Sequence, residues 1–156
     1  MLSFCTAWYM YRMVQRIEHT AITAADPTRV YALLIDGTSW PAWSPIESVE
    51  FEGDGADGHV GTVRVLHSGK VTGRDTIAEL VPDRRFAYTH ESNLPVKDYR
   101  GEIDLEPADG GTSIRWVSTF RLKIPGTGPL VRRGLRRFIA EMTDGLAEGA
   151  ARRAAA

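Results

Sequence analysis

His90 and its neighbours are the residues of this 156-residue chain whose types and spacing could do chemistry. Residues 85–92 alternate in polarity, so Phe86, Tyr88 and His90 share one face of a predicted strand. Imidazole titrates near neutral pH, which makes His90 the candidate for acid–base catalysis on a carbonyl compound such as a polyketide. The spacing identifies no adjacent carboxylate to orient it, and a histidine on an aromatic face is also typical of a hydrogen-bonded packing residue. Both interpretations stay open.

Aromatic side chains with a few polar tips recur on the same predicted face of the sheet. A sheet that only packs against a helix would use more Val, Leu and Ile, so this composition favours a pocket for an apolar molecule. The residues predicted to contact such a ligand from the strands and the last helix are Tyr88, His90, Tyr99, Trp116, Ser118, Phe120, Phe138 and Met142.

The stretch TSWPAWSP adds two further candidates, Trp40 and Trp43. Pro41 suits a first helical turn and Ser44-Pro45 ends it, so the two indoles share one face of a short, rigid segment. They form either a wall against which a planar ligand stacks or a plug that closes one end of the core.

Metal and cofactor sites are not expected. The four histidines show no HxH or HExxH spacing, and the single cysteine, Cys5, excludes an internal disulfide or a cysteine-rich zinc site. Residues 53–58, GDGADG, match GxGxxG, but the next segment has the pattern of a strand and two aspartates would repel a phosphate. We therefore expect a flexible turn there, with neither a metal nor a cofactor.

The helices and strands that carry these residues are predicted from the hydrophobic periodicity of the chain and from its turn residues. Asp26 and Pro27 are typical of a helix start, as N-cap and first helical residue, and the Trp segment predicts a second short helix. Alternating runs bounded by turn signals predict strands at Val14–Thr23, Ile46–Glu52, Thr62–Ser68, Lys70–Val81, Arg85–Ser92, Asp98–Glu106 and Ser113–Leu122. A stripe spaced by three or four residues predicts a long amphipathic helix: Val131, Leu135, Phe138, Met142 and Leu146.

This order predicts an α+β protein in which the long helix lies across a curved antiparallel sheet. A straight helix does not fill a curved sheet, so the gap between them is either a packed core or a ligand cavity. The sequence does not fix which side of the sheet Arg64, Arg74 and Asp75 face, and an enzyme would need such polar groups inside.

Composition limits the classes of partner. A formal net charge of −1 and 43% hydrophobic residues are those of an ordinary globular protein and do not indicate nucleic-acid binding. No apolar run reaches the roughly 20 residues of a membrane span. The basic stretch RRGLRR is expected to be a solvated helix face, with transient membrane-surface contact left open because Leu130 and Val131 adjoin it. Residues 1–13 make a poor signal peptide, so we expect a tail, a single domain over 14–156 and a cytoplasmic protein.

Several stretches together resemble the START-like, or SRPBCC, superfamily, and more narrowly its polyketide cyclase/dehydrase and lipid-transport branch. They are ITAADPTRVYALLIDGTSWPAWSP, RRFAYTH, YRGEIDLEPADGGTSIRW and the terminal amphipathic helix, and the resemblance covers roughly residues 14–151. It implies a helix-grip fold with an interior cavity for an apolar small molecule. It supplies no catalytic motif at numbered positions, because the scaffold serves carriers, receptors and cyclases alike.

Three hypotheses follow. The first is the binding of a hydrophobic or aromatic small molecule, such as a lipid, quinone or polyketide, between the sheet and the long helix. The alternative is a cofactor-independent polyketide cyclase/dehydratase acting in the same cavity, which needs an inward acid–base group hydrogen-bonded to a partner. The third is an interaction module whose cavity is filled by its own side chains.

Overall fold

The structure, a computed structural model, describes residues 5, 6, 9, 12–53 and 57–155, with side chains to residue 152. Its sheet has seven antiparallel strands in the order β1-β7-β6-β5-β4-β3-β2. The strands are β1 Gln15–Thr23, β2 Ser48–Phe51, β3 Val63–Ser68, β4 Val71–Val81, β5 Arg85–Ser92, β6 Val96–Ala108 and β7 Gly111–Leu122. Each predicted strand is present, with ends within two residues of those expected.

Two short helices separate β1 from β2. Helix α1, Pro27–Ile35, begins as predicted. The Asp26 carboxylate accepts from the backbone N–H of Arg29 at 3.1 Å, and Pro27 has no backbone N–H that would need a partner in the first turn. A 3₁₀ turn, Gly37–Ser39, leads into α2, Trp40–Trp43, which ends where Ser44 turns extended before Pro45.

The long helix α3, Gly128–Ala155, packs across one face of the sheet against β1 and β7. Three residues of the predicted stripe, Leu135, Met142 and Leu146, are buried there. Ile139, one position beyond Phe138, is also fully buried, whereas Phe138 is only half-buried. The stripe is therefore wider than predicted, because one of its edges faces the sheet and the other faces the cavity described below.

Two glycines of α3 allow α2 to dock against it. A Cβ at Gly145 would overlap the backbone carbonyl oxygen of Trp43, and one at Gly149 would lie 2.7 Å from Trp43 Cβ. Only a bare backbone one helical turn apart admits so close an approach. The Trp segment is thereby fixed against α3.

Two irregularities bend the sheet. The β4–β5 register passes from Ile77↔Tyr88 to Glu79↔Ala87, which leaves Ala78 unpaired, and the β6–β7 register shifts between residues 97 and 100. Such bulges increase local twist and curvature. The predicted α+β architecture, a long helix held across a curved antiparallel sheet, is confirmed.

Two further predictions concern the N-terminal tail and the turn that precedes β3. The predicted tail over residues 1–13 falls mostly outside the described residues and stays a prediction, as does the division into tail and domain. Residues 54–56 of the GDGADG stretch also lie outside them, but strand β3 follows that stretch, as expected, and no helix does. Among the described residues, no helix combines the length and apolar content that a membrane span requires.

Candidate functional site

A cavity of about 450 Å³ lies between the sheet, α2 and the first half of α3. Its wall is almost entirely apolar, and it reaches solvent beside Leu130, which is 77% exposed. It is lined by Trp40, Ile46, Leu66, Ser68, Val71, Gly73, Asp75, Tyr88, His90, Leu94, Pro95, Val96, Tyr99, Leu130, Val131, Gly134, Leu135, Phe138 and Met142. Cavities of about 300–1,000 Å³ are typical of small-molecule sites.

The wall contains one carboxylate–imidazole pair. Asp75 on β4 and His90 on β5 are directly opposite each other in the strand register, and Asp75 Oδ1 lies 2.5 Å from His90 Nδ1. The side chains of Asp75 and His90 are 6% and 15% exposed. Because the carboxylate accepts from Nδ1–H, the proton-free position of a neutral ring is Nε2, which no described residue hydrogen-bonds. The pair thus holds a base oriented by a carboxylate at the cavity wall.

Asp75 and Leu80 both face the core although an odd number of positions separates them, because Ala78 between them is unpaired. Gly73, Asp75 and Ile77 are buried, but beyond Ala78 it is Leu80 that packs against the core, while Glu79 faces outward to Arg100. A one-residue shift moves every following side chain to the other face of a strand. Strict alternation counted back from Leu80 would place Arg74 on the core face instead of Asp75, so alternation alone could not show which side Asp75 faces.

Glycines on neighbouring strands make room for the site side chains. Gly101 is paired with Tyr88, and a Cβ there would overlap the Tyr88 ring. A Cβ at Gly73 would likewise overlap the imidazole of His90. Both rings therefore lie along the sheet surface over a bare backbone instead of projecting into the cavity.

Two buried phenols extend the polar part of the wall. The Tyr99 hydroxyl donates to Ser118 Oγ at 2.8 Å, and Trp116 Nε1–H donates to the Tyr88 oxygen at 3.2 Å. Burial raises the pKa of Tyr99 to about 12; the bond to Ser118 opposes this rise and the Asp75 carboxylate adds to it. Burial also raises the pKa of Tyr88 well above its ordinary value, with Tyr99 and Asp75 contributing. Both phenols are neutral hydrogen-bonding groups at physiological pH.

The two tryptophans take different positions. Trp40 lines the cavity and donates its Nε1–H to the carbonyl of Leu34 at 3.3 Å, so its ring offers only carbon surface. Trp43 packs behind it, with ring centroids 5.1 Å apart, and donates to Ser39 Oγ at 3.1 Å. Trp43 closes the end of the core against α3, and Trp40 forms a wall.

Six of the ten residues predicted to contact a ligand line the cavity, and four lie behind its wall. Those in the wall are Trp40, Tyr88, His90, Tyr99, Phe138 and Met142. Those outside it are Trp43, Trp116, Ser118 and Phe120, of which Trp116 and Ser118 hydrogen-bond the two phenols and Phe120 stacks on Tyr99 at 6.0 Å. Ligand contact stays a prediction for all ten.

The lining residues that sequence reasoning missed are mostly aliphatic. Ile46, Leu66, Val71 and Val96 sit at strand ends or beside turns, where alternation is too short to reveal a face. Their position would have been a better guide than their residue type, because each lies at or near the end of the sheet where α3 begins.

The sequence did not show whether Arg64 and Arg74 face the core or the solvent, and the structure places them in different environments. Arg74 is half exposed and pairs with Glu52. Arg64 is 1% exposed but does not line the cavity; it pairs with Asp57 at 3.0 Å and donates to the carbonyl of Leu34 at 3.0 Å. Its guanidinium also lies over the Trp40 ring, 5.3 Å from the centroid. Arg64 is therefore fully used inside the fold, and Asp75 is the charged group that reaches the cavity.

Among the described residues, no group of three His, Cys, Asp or Glu side chains is close enough together to hold a metal ion. The pair of His90 and Asp75 by itself is two ligands short of the usual four-coordinate zinc site. The expected lack of a metal and a cofactor stays a prediction.

Comparison with known proteins identifies a family. A family model described as polyketide cyclase / dehydrase and lipid transport matches residues 14–151. No curated protein matches the chain in sequence.

Solved structures share the fold at low identity. The aromatase/cyclase ZhuI from a Streptomyces species is 23% identical, with a TM-score of 0.70 over 91% of this chain and 96% of that one. Ara h 8.0201 is 20% identical, with a TM-score of 0.71 over 88% and 98%. A norcoclaurine synthase of Thalictrum is 16% identical, with a TM-score of 0.70 over 90% and 96%. At such identities the likeness establishes the helix-grip fold alone.

Proposed function

The chain belongs to the polyketide cyclase / dehydrase and lipid transport family, and on that premise we propose that its cavity binds a hydrophobic or aromatic small molecule. The observation that carries the proposal is the cavity of about 450 Å³ with an apolar wall and one polar patch. Apolar burial drives binding at about 25 cal/mol per Å² removed from water. His90 Nε2 and the two phenols orient a ligand that carries a hydrogen-bonding group.

Native mass spectrometry of the purified protein, followed by organic extraction, tests this proposal. We expect a co-purifying lipid, quinone or aromatic compound, or binding of an apolar dye that quenches tryptophan fluorescence. Trp40→Phe should remove most of the quenching, whereas Trp43→Phe, which replaces the indole behind it, should leave most of it. A protein that carries no small molecule and takes up no dye would contradict the proposal.

A second candidate function is a cyclase or dehydratase, and the Asp75–His90 hydrogen bond favours it. In this proposal Nε2 of His90 removes a proton from the carbon beside a ligand carbonyl, and the electron pair moves to the carbonyl oxygen as an enolate. The imidazolium formed is stabilised by Asp75. The enolate then attacks a second carbonyl of the same molecule, and the alkoxide takes the proton back from His90.

Hydrogen–deuterium exchange separates binding from proton transfer. The protein is incubated with an aryl alkyl ketone in heavy water, and NMR measures the incorporation of deuterium. We expect hydrogen to be exchanged for deuterium at the carbon beside the carbonyl. Asp75→Asn should slow this exchange by roughly tenfold to a hundredfold while the ketone still binds, since general-base catalysis is worth about 10²–10⁴. Binding with no exchange above the rate in buffer would leave the binding proposal standing and remove the enzymatic one.

Location in the cell follows neither from the fold nor from the site. The cytoplasmic location expected from the sequence stays a prediction, which fractionation of the producing cells would test.

A further inference from the structure

Positive charge is concentrated in one stretch of the chain. Residues 121–140 contain six basic residues and no acidic one: Arg121, Lys123, Arg132, Arg133, Arg136 and Arg137. The whole chain has a formal net charge of −1, so the remaining residues together carry −7. A helix face that only contacts water does not require its basic residues to be clustered apart from acidic ones. A positive patch on an otherwise acidic molecule attracts anionic partners.

This basic stretch lies at the open end of the cavity. It comprises the end of β7, the following loop and the first turns of α3. Antiparallel pairing brings the β3–β4 and β5–β6 connections to the same end of the sheet, and Ser68 and Pro95 of those connections line the cavity together with Leu130. The cations thus border the cavity mouth.

Exposed aliphatic side chains accompany the cations. Leu130 is 77% exposed and Ile124, between Lys123 and Pro125, is 54% exposed. On α3, Leu130, Arg133 and Arg137 are spaced by three and four residues, so they share one face. Large aliphatic side chains pointing into water beside guanidinium groups are the composition of a surface that enters the headgroup region of a bilayer.

Local carboxylates neutralise only part of this charge. Asp98 lies 3.7 Å from Arg121, and Glu141 lies 3.1 Å from Arg137. Within the described residues, the side chains of Lys123, Arg133 and Arg136 have no hydrogen-bond or ion-pair partner; all three are exposed. These cations are available to an external anion.

We propose that the surface formed by Lys123, Ile124, Leu130, Arg133 and Arg137, here termed the basic rim, docks on an anionic lipid membrane. The two aliphatic side chains enter the headgroup region and the cations face the lipid phosphates. In that orientation the cavity mouth faces the bilayer, so an apolar ligand passes between membrane and cavity without crossing water. This last consequence rests on the proposed binding function, but the docking itself does not.

Vesicle co-sedimentation of the full chain tests the basic rim. We expect binding to phosphatidylcholine vesicles that contain phosphatidylglycerol and little binding to phosphatidylcholine alone. Raising the salt from about 0.1 M to about 1 M should release the protein, since the Debye length falls from about 10 Å to about 3 Å. Arg133→Glu should lower the vesicle partition coefficient roughly fivefold or more, and Ile124→Ser with Leu130→Ser should lower it further.

Matched controls lie at the opposite end of the sheet. Arg84, in the β4–β5 turn, is exposed, and Ile22 and Val60 are 64% and 59% exposed. Arg84→Glu, and Ile22→Ser with Val60→Ser, should leave vesicle binding unchanged. Thermal unfolding of every variant checks folding.

Two results would overturn the proposal: no preference for anionic vesicles, or equal losses in the rim variants and their controls. Failure of vesicle binding would leave the dye and extraction experiments unaffected, so the two proposals are tested separately.

Discussion

His90 can act on a ligand because Asp75 engages one of its ring nitrogens. The 2.5 Å contact to Nδ1 fixes the ring orientation and leaves Nε2 at the cavity wall. Tyr88 and Tyr99 complete a polar patch within apolar surroundings. An aliphatic ligand gains nothing from that patch, whereas a ligand with a carbonyl or hydroxyl group gains a directional contact, so the patch sets ligand chemistry.

The buried phenols predict a loss of stability at high pH. An unfolded tyrosine releases its proton near pH 10, whereas burial raises the pKa of folded Tyr99 to about 12 and that of Tyr88 also upward. Between these values the unfolded state holds fewer protons, so the free energy of unfolding falls as pH rises, by about 1.4 kcal/mol per pH unit for each phenol. Urea unfolding at a series of pH values up to 12 measures the slope. Tyr99→Phe should make it shallower, and an unchanged slope in that variant would refute the assignment.

Gly101 is predicted to be the glycine that the site tolerates least. A Cβ at this position overlaps the Tyr88 ring, so Gly101→Ala should cost about 1–3 kcal/mol of unfolding free energy and displace that ring toward the cavity. Gly134 also lines the cavity, but a Cβ there meets nothing within 4 Å. Because Gly134 lies inside α3, Gly134→Ala should gain about 0.5–1 kcal/mol. Chemical denaturation of both variants decides, and equal effects would show that Tyr88 does not need the bare backbone.

At the scale of elements, α2 is held between the sheet and α3. Gly145 and Gly149 allow Trp43 to pack closely against α3. With Trp43 fixed there, Trp40 in the same helical turn faces the cavity. Neither indole N–H needs a water partner, because Trp40 donates to the carbonyl of Leu34 in α1 and Trp43 donates to Ser39 Oγ. The segment thus positions one wall of the cavity as a rigid unit.

Arg64 joins β3 to the end of α1. Its guanidinium donates to the carbonyls of Leu34 and Ile35, which a helix end leaves without partners, and pairs with Asp57. Arg64→Met should therefore lower the unfolding free energy by about 3 kcal/mol or more, since it removes the donor to the Ile35 carbonyl and the ion-pair partner of Asp57. Arg74→Met, which breaks an exposed ion pair on the next strand, should cost under about 1 kcal/mol. Thermal and urea unfolding measure the difference, and similar costs would contradict the structural role of Arg64.

For the whole molecule, the cavity and the basic rim lie at one end, and the α1–β3 network closes the other. The chain therefore has a closed end, fixed by buried hydrogen bonds, and an open end with exposed aliphatic and basic side chains. A ligand that binds only the folded state stabilises the whole fold, by about 2.7 kcal/mol at a concentration 100 times its Kd.

Filling the cavity should separate binding from folding. Val131 is half-buried at the mouth, so Val131→Trp should place an indole in the cavity and lower the affinity for an apolar dye at least roughly tenfold with little change in melting temperature. Glu148→Trp, on the exposed face of the same helix, is the matched control and should bind as the parent does. Fluorescence titration and thermal unfolding supply the measurements. Undiminished dye binding in Val131→Trp would place the dye outside this cavity.

The element order and the helix-grip architecture could be predicted from the amino-acid sequence. Polarity alternation, the Asp26-Pro27 helix start and the period of α3 are local signals, and each depends on residues a few positions apart. The same alternation placed Tyr88, His90 and Tyr99 on one face, and all three line the cavity.

Which of these residues line the cavity, and which group orients His90, became visible in the folded chain and not in its sequence. The unpaired Ala78 lets Asp75 and Leu80 face the core on one strand, and no local pattern encodes where a strand leaves a residue unpaired. The separation of Trp40 from Trp43 depends on Gly145, about a hundred residues further along the chain. Contacts between distant segments are set by packing, which a period of two or of 3.6 residues cannot express.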